Sequence, residues 1–379
     1  MKKLILLLIT SILYSCTDSF QIQGISDEVE VLRDNYGINH IYANNQDDMF
    51  FMQGYLAAKD RLFQFEIWRR QATGTVSEVF GEEEIDRDIG TRLFKFRGDI
   101  KDELNHYHKD GFKIVSSFVS GVNKYIEEVN SNPELLPIEF KVLGIKPDIW
   151  TNEVVISRHQ GLLGNIDQEL NIGRAVSLIG EKKVKELMWF HPKEPSLKLD
   201  KTITYDDLKQ DILRLYNAYR EPLKFKGEYV LDKYRSKDLM ANVDESNLIS
   251  DEYSIGSNNW ALSGNKSFNG FPILANDPHR SLSNPSLRYM AHLVAPGWNV
   301  IGGGEPEIPG ISIGHNGIGA WGLTVFRTDA EDLYVYELNP SNLNQYRHNG
   351  QWKEFNKINE TIKVKNKSDI DVELMYSVH

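Results

Sequence analysis

Gly256-Ser257-Asn258-Asn259-Trp260-Ala261-Leu262 is the stretch from which the 379-residue chain is best read, because its character changes on either side of it. Upstream, from near Asp200 to about Tyr253, the chain is rich in Lys, Asp, Glu, Arg and Tyr, and its apolar residues keep no period. That is the pattern of a solvated linker or a surface helix. Downstream the character is β. Asn259–Leu262, Pro272–Ala275, Trp298–Ile301, Ile311–Ile313, Ala320–Thr324 and Leu333–Tyr336 read as short strands separated by Gly, Asn and Pro turns.

Further out, Val29–Asp34 alternates like a strand, Asn35-Tyr36-Gly37 signals a turn, and His40–Ala43 reads as the partner strand. From Asp47 to Gln71, Phe51, Tyr55, Ala58, Leu62, Phe65 and Trp68 recur at helical spacing, and Gly74 closes the segment. A second amphipathic helix is expected from about Phe112 to Val129, and helix again from Glu153 to about Leu187. At the carboxyl end, Thr361–Lys365 and Val372–Tyr376 read as a hairpin around Asn366-Lys367-Ser368. An unsupported last strand would expose unpaired backbone groups, so the chain is expected to be a fragment of a longer protein.

Composition narrows the function classes. Hydrophobic residues make up 41% and charged residues 26%, which supplies a large core and argues against disorder. The net charge of −11, without a basic block, argues against a nucleic-acid partner. A single cysteine excludes an intrachain disulfide and any Cys-rich zinc site. That cysteine follows Lys2, Lys3 and the short apolar run Leu4–Leu13. The run is too short to span a bilayer, which needs about 20 residues, but suits a signal-peptide core. Leu13-Tyr14-Ser15-Cys16 resembles a bacterial lipobox, so residues 1–16 are expected to be a lipoprotein signal. Cys16 would be the acylated first mature residue, and the protein would sit in the periplasm or at the cell surface.

Four segments together resemble the penicillin acylase family of N-terminal nucleophile hydrolases. They are Tyr55-Leu56-Ala57-Ala58-Lys59-Asp60-Arg61-Leu62-Phe63-Gln64 with Arg69-Arg70 and Gly74–Glu78; Gly256–Trp260; Ala275-Asn276-Asp277-Pro278-His279; and Gly314-His315-Asn316-Gly317 leading into Ala320-Trp321-Gly322. They stand in the family's order and cover nearly all of the mature chain, but only the first half or so of a full member. The resemblance implies an α+β fold, an αββα sandwich of two packed antiparallel sheets with a largely helical small subunit. It implies a small-subunit region 17–200, an excised linker 201–256 and a catalytic subunit starting at Ser257. The second half of that subunit would be missing.

The chemistry of Gly256-Ser257 stands beside that resemblance. A hydroxyl is a weak nucleophile unless a base takes its proton. Breaking the peptide bond before Ser257 would create an α-amine with a pKa near 8, a base carried by the nucleophile's own residue. Ser257 can make that break itself by attacking the carbonyl of Gly256, where no Cβ obstructs a tight turn. The resemblance implies a backbone N–H at Val325 as one oxyanion donor, with an asparagine beyond His379 as the other. It places His279 where the family has a Gln or His near the substrate amide or the serine; a loop histidine is the plain alternative. His315 reads as a turn and packing residue.

The resemblance further implies one calcium ion held by Glu169, Asp329 and Asp332, with Glu331 lending its carbonyl. An acidic loop solvated by water is the alternative. The expected substrate is a small N-acyl amide, such as a β-lactam side chain or an acyl-homoserine lactone. The expected assembly is a self-processed heterodimer that touches the membrane only through the lipid on Cys16. Aromatic residues around Phe63–Trp68 are candidates for an acyl pocket, with core packing the commoner role. Two other readings remain: a non-catalytic lipoprotein or inactive fragment, and a conventional serine hydrolase with His279 as base. The second lacks a Gly-x-Ser-x-Gly elbow.

Overall fold

Asn45 starts the longest helix by accepting a 2.8 Å hydrogen bond from the Asp48 N–H, with Asp47 and Asp48 in the first turn, where the helix dipole favours acids. Gly74 ends it in the left-handed conformation at φ 66°, its N–H on the Arg70 carbonyl. The computed structural model describes residues 19–157, 164–190, 193–235, 257–279, 283–325 and 329–378. In chain order it holds strands β1 (Val29–Arg33) and β2 (Asn39–Ala43), then helices α1 (Gln46–Thr73), α2 (Ser77–Phe80), α3 (Ile85–Phe94), α4 (Ile100–Tyr107) and α5 (Gly111–Ser131). Helices α6 (Ile138–Leu143), α7 (Asn152–Ser157), α8 (Ile166–Ile179), α9 (Glu181–Leu187), α10 (Tyr205–Leu208) and α11 (Arg214–Arg220) follow. The remainder is β3 (Ser257–Leu262), β4 (Ile273–Pro278), β5 (Tyr289–Ala295), β6 (Trp298–Gly304), β7 (Ile313–His315), β8 (Ala320–Trp321), β9 (Leu338–Asn339), β10 (Asn342–His348), β11 (Gln351–Glu354), β12 (Asn356–Ile362) and β13 (Ile370–Tyr376).

Helix α1 is the centre of the molecule. Met49, Phe50, Ala57, Ala58 and Phe65 are all but sealed from solvent, because the helix is packed on more than one side. It crosses α5 at two glycines. A Cβ on Gly54 would lie 2.0 Å from the Phe118 carbonyl oxygen, and one on Gly121 only 1.8 Å from that of Phe51. The backbones therefore touch, and no larger residue fits at either place. On its other side α1 packs on a sheet, with Phe50 edge-on to Trp298 at 5.2 Å. Phe65 and Trp68 are buried, and Phe63 packs on Phe140, so these aromatics build core.

That sheet has six strands in the order β1-β2-β5-β6-β7-β8. Every neighbouring pair is antiparallel except β2 and β5, which run parallel with Asn39 opposite Ala291. The sheet is therefore mixed, where an all-antiparallel one was expected. Its parallel seam joins residues from both sides of Gly256-Ser257. Strands β3 and β4 form a separate hairpin, β9–β11 a small sheet, and β12–β13 a second hairpin. No strand is found over Leu333–Tyr336.

Two other expectations change. The hairpin β12–β13 is supported: Ile362 and Leu374 are buried, the Tyr376 hydroxyl donates to the Arg92 carbonyl at 3.0 Å, and Arg92 donates to the Thr361 carbonyl at 2.8 Å. Glu360 lies among Arg92 of α3 and Lys95 and Arg97 just after it, whose charges help hold its carboxyl below the usual carboxylate range despite burial. The polar stretch after residue 200 is also better packed than its composition suggests. Leu208, Leu213 and Tyr216 bury against Ile166 and Leu170 of α8, and Tyr229 buries beside Phe80. Residues 236–256, the rest of the expected linker, lie outside the described residues.

Candidate active site

Ser257 is the first residue of β3 and pairs with Pro278 at the end of β4. Side chains alternate along a strand, so Ser257, Asn259 and Ala261 share one face of the hairpin. The chain leaves β4 at His279, whose backbone N–H donates to Ser257 Oγ at 3.2 Å. Two motifs 22 positions apart thus meet at the hydroxyl. The His279 ring does something else, its Nε2 lying 2.8 Å from Asp277 Oδ2. Gly256 lies outside the described residues, as does Cys16.

Asn276 fastens this hairpin to a third motif. Its Nδ2 donates to the Asn258 and Leu323 carbonyls at 3.0 Å each, and its Oδ1 accepts from the Leu323 N–H at 3.2 Å. One amide therefore satisfies three backbone groups on two segments. Gly322 makes the approach possible. A Cβ there would sit 2.7 Å from both Cβ and Cγ of Asn276, so Trp-Gly is followed closely by the hairpin only because the second residue has no side chain. Val325 follows two residues after the tethered Leu323 and is about half exposed. His315 ends β7, paired with Ile301 and Ala320 but exposed, so it is a strand-end residue without the packing role expected of it.

The first motif fastens α1 to β5. Asp60 takes two hydrogen bonds from Arg33 Nη2, at 2.8 and 2.7 Å, and one from the Tyr289 hydroxyl at 2.8 Å. Asn39 donates to that hydroxyl at 2.7 Å. Burial first, then the Asp60 charge, pushes the Tyr289 hydroxyl far above its ordinary pKa, so it stays protonated as a donor. Arg61 reaches the Ser286 carbonyl at 2.9 Å. Arg69 and Arg70 both pair with the fully buried Glu66. These contacts are structural, joining α1 to the sheet and to its own neighbours.

The three acids expected to hold a metal do converge. Glu169 of α8 and Asp329 and Asp332 of the loop after β8 offer carboxylate oxygens within 4.8 Å of one another. Burial, then the charges of Asp329 and Asp332, raises the Glu169 pKa. Asn165 organises the group. Its Nδ2 donates to Glu169 Oε1, Asp329 Oδ1 and the Glu331 carbonyl, while its Oδ1 accepts from the Ala330 and Glu331 N–H groups. Tyr216, from the stretch expected to be linker, donates to Glu331 at 2.7 Å. Oxygen-only donors brought this close suit a hard cation such as calcium.

Sequence reading gave no role to Asn165, Asn276 or Tyr216. Asn276 carries a faint signal, an asparagine inside a strand where that residue is disfavoured. Asn165 carries another, an amide just ahead of a helix, normally a cap, here turned toward a distant loop.

The family model described as penicillin amidase matches residues 28–379. Penicillin G acylase of Escherichia coli is 28% identical over 372 residues, covering 90% of this chain and 44% of that protein. Penicillin acylase 2 proenzyme of Pseudomonas sp. (strain SE83) is 30% identical over 321 residues, covering 84% and 38%. Acyl-homoserine lactone acylase QuiP of Pseudomonas aeruginosa is 25% identical over 354 residues, covering 92% and 39%. A solved thermostable penicillin G acylase from Alcaligenes faecalis aligns at 26% identity with a TM-score of 0.38, covering 46% of this chain and 97% of that one. The chain thus spans about two fifths of the length of these curated relatives.

Proposed function

The chain belongs to the penicillin amidase family, and from that premise we propose that it is an amide hydrolase whose nucleophile is Ser257. The reading takes the fold as the αββα sandwich of N-terminal nucleophile hydrolases. Maturation begins when Ser257 Oγ attacks the Gly256 carbonyl. The acyl group passes from nitrogen to oxygen, and water hydrolyses the ester, leaving Gly256 as a carboxylate and Ser257 with a free α-amine. That amine then accepts the hydroxyl proton while Oγ attacks a substrate amide. The amine product leaves, and water releases the acyl group from the serine. The observation that carries this reading is the convergence at Ser257: His279 N–H on its Oγ, and Asn276 joining its hairpin to the segment that leads to Val325.

In this reading the Val325 N–H stabilises the oxyanion of both acyl steps. Glu169, Asp329, Asp332 and the Glu331 carbonyl hold one calcium ion, which fixes the loop after β8 against α8. The substrate is a linear N-acyl amide of the kind named in the relatives, a penicillin side chain or an acyl-homoserine lactone. The mature protein is a heterodimer of its own two pieces, anchored through a lipid on Cys16 in the periplasm or at the cell surface. Among the described residues no helix is long and apolar enough to cross a membrane.

The free amine gives a direct test. Activity on N-acyl substrates should rise as pH passes through about 8, because only the neutral amine takes a proton. Selective acylation of the new amine should abolish turnover. The His279–Asp277 pair favours a second reading, a conventional serine hydrolase with His279 as base. That enzyme would keep its activity after the amine is blocked.

A further inference from the structure

The parallel seam between β2 and β5 places His40 directly opposite His292. Their Nδ1 atoms face each other at 3.0 Å, with the rings perpendicular. Each outer nitrogen already has an oxygen acceptor. His40 Nε2 lies 3.4 Å from Asp34 Oδ2, and His292 Nε2 lies 3.0 Å from Asn299 Oδ1. Asp34 is held for this task, since its other oxygen accepts from the Tyr36 and Ile38 N–H groups at 2.9 Å each. In a neutral imidazole an acceptor at Nε2 puts the ring proton there and leaves Nδ1 as a bare lone pair. Two such lone pairs this close repel unless something positive is shared by both.

We propose that His40 and His292 form a binding site for a divalent metal of the zinc class, separate from the acid cluster. Imidazole nitrogens at about 2.0–2.1 Å from one tetrahedral ion stand about 3.3 Å apart, close to the spacing found here. The surroundings match those of metal-bound histidines, whose second nitrogen is almost always held by a carboxylate or carbonyl. Here Asp34 serves His40 and the Asn299 amide oxygen serves His292. Water completes the coordination, because the His40 side chain remains 23% exposed. Hard oxygen ligands select calcium, whereas paired imidazoles select the softer ions, so the two sites discriminate by ligand type. The ion would clasp a strand from each side of Gly256-Ser257.

The test is calorimetric titration of Zn²⁺ alone into protein saturated with Ca²⁺. The expected result is one zinc ion per chain at micromolar concentration. His40→Gln and His292→Gln should each weaken it at least about tenfold, and Asp34→Asn by about tenfold, with unchanged circular dichroism. Ser257→Ala should bind zinc as the unaltered protein does, so a failure of the cleavage reading would leave this site standing. Absence of zinc uptake below millimolar concentration would overturn the proposal. That result would leave a simple hydrogen bond in which one histidine donates to the other. Uptake unaffected by both histidine variants would overturn it equally.

Discussion

The crossing of α1 with α5 and the hairpin of Ser257 are built on opposite principles. At the crossing, Phe50, Phe65 and Phe118 are sealed and backbone meets backbone at Gly54 and Gly121. In the hairpin, Trp260, Phe268, Phe271 and Ile273 are exposed, and position depends on a few hydrogen bonds from Asn276 and the His279 N–H. Apolar burial is non-directional and fixes a fold without aiming an atom. Hydrogen bonds add little net stability each but set direction. The proposed chemistry is placed by the second kind of contact, on a platform held by the first.

The sharpest way to break this contrast is at the crossing. Gly121→Val would drive a side chain into the Phe51 carbonyl, at a cost of about 3 kcal/mol or more. Urea unfolding should show that loss, or the variant should fail to fold. Gly322→Ala separates the two principles more cleanly. Its new methyl would push on Asn276, lowering kcat/KM on the order of 100-fold while costing less than about 1 kcal/mol of stability. If the contact is the cause, Asn276→Gly with Gly322→Ala should be no worse than Asn276→Gly alone. An additive double mutant would place the damage elsewhere.

The platform was largely legible in the sequence, and the reasons are physical. Phe51, Tyr55, Ala58 and Leu62 repeat at helical spacing because they pack on one body, and Gly74 stops the helix where a left-handed residue is needed. The pairing of Asn39 with Ala291 was not legible, since no local pattern records a partner about 250 positions away. Neither was the docking of Leu213, Tyr216 and Tyr229, because a polar stretch with scattered large side chains reads as solvated until its partners are known. The convergence of Glu169 with Asp329 and Asp332 followed from resemblance. Asn165, which organises them, did not, since an amide looks the same whether it caps a helix or bridges to a loop.

Smaller effects sharpen the picture. Asp332→Ala should lower the yield of folded protein more than it alters turnover per folded molecule, and should weaken calcium binding by about tenfold. Quantifying soluble protein against active sites, with and without calcium, checks both. His279→Ala should cost least, below about fivefold in kcat, because it is the backbone N–H that reaches Ser257, at a worth of about 1 kcal/mol. His279→Pro removes that N–H and should cost more than alanine does. Equal effects would assign the role to the ring instead.

The account rests on Ser257 cutting the bond behind it, and the mass of the protein purified from its own host tests this most directly. Two fragments are expected, one with Ser257 as its amino terminus, and Ser257→Ala should give only the uncut chain. Normal cutting in that variant, or full amide hydrolysis by an uncut protein, would contradict it.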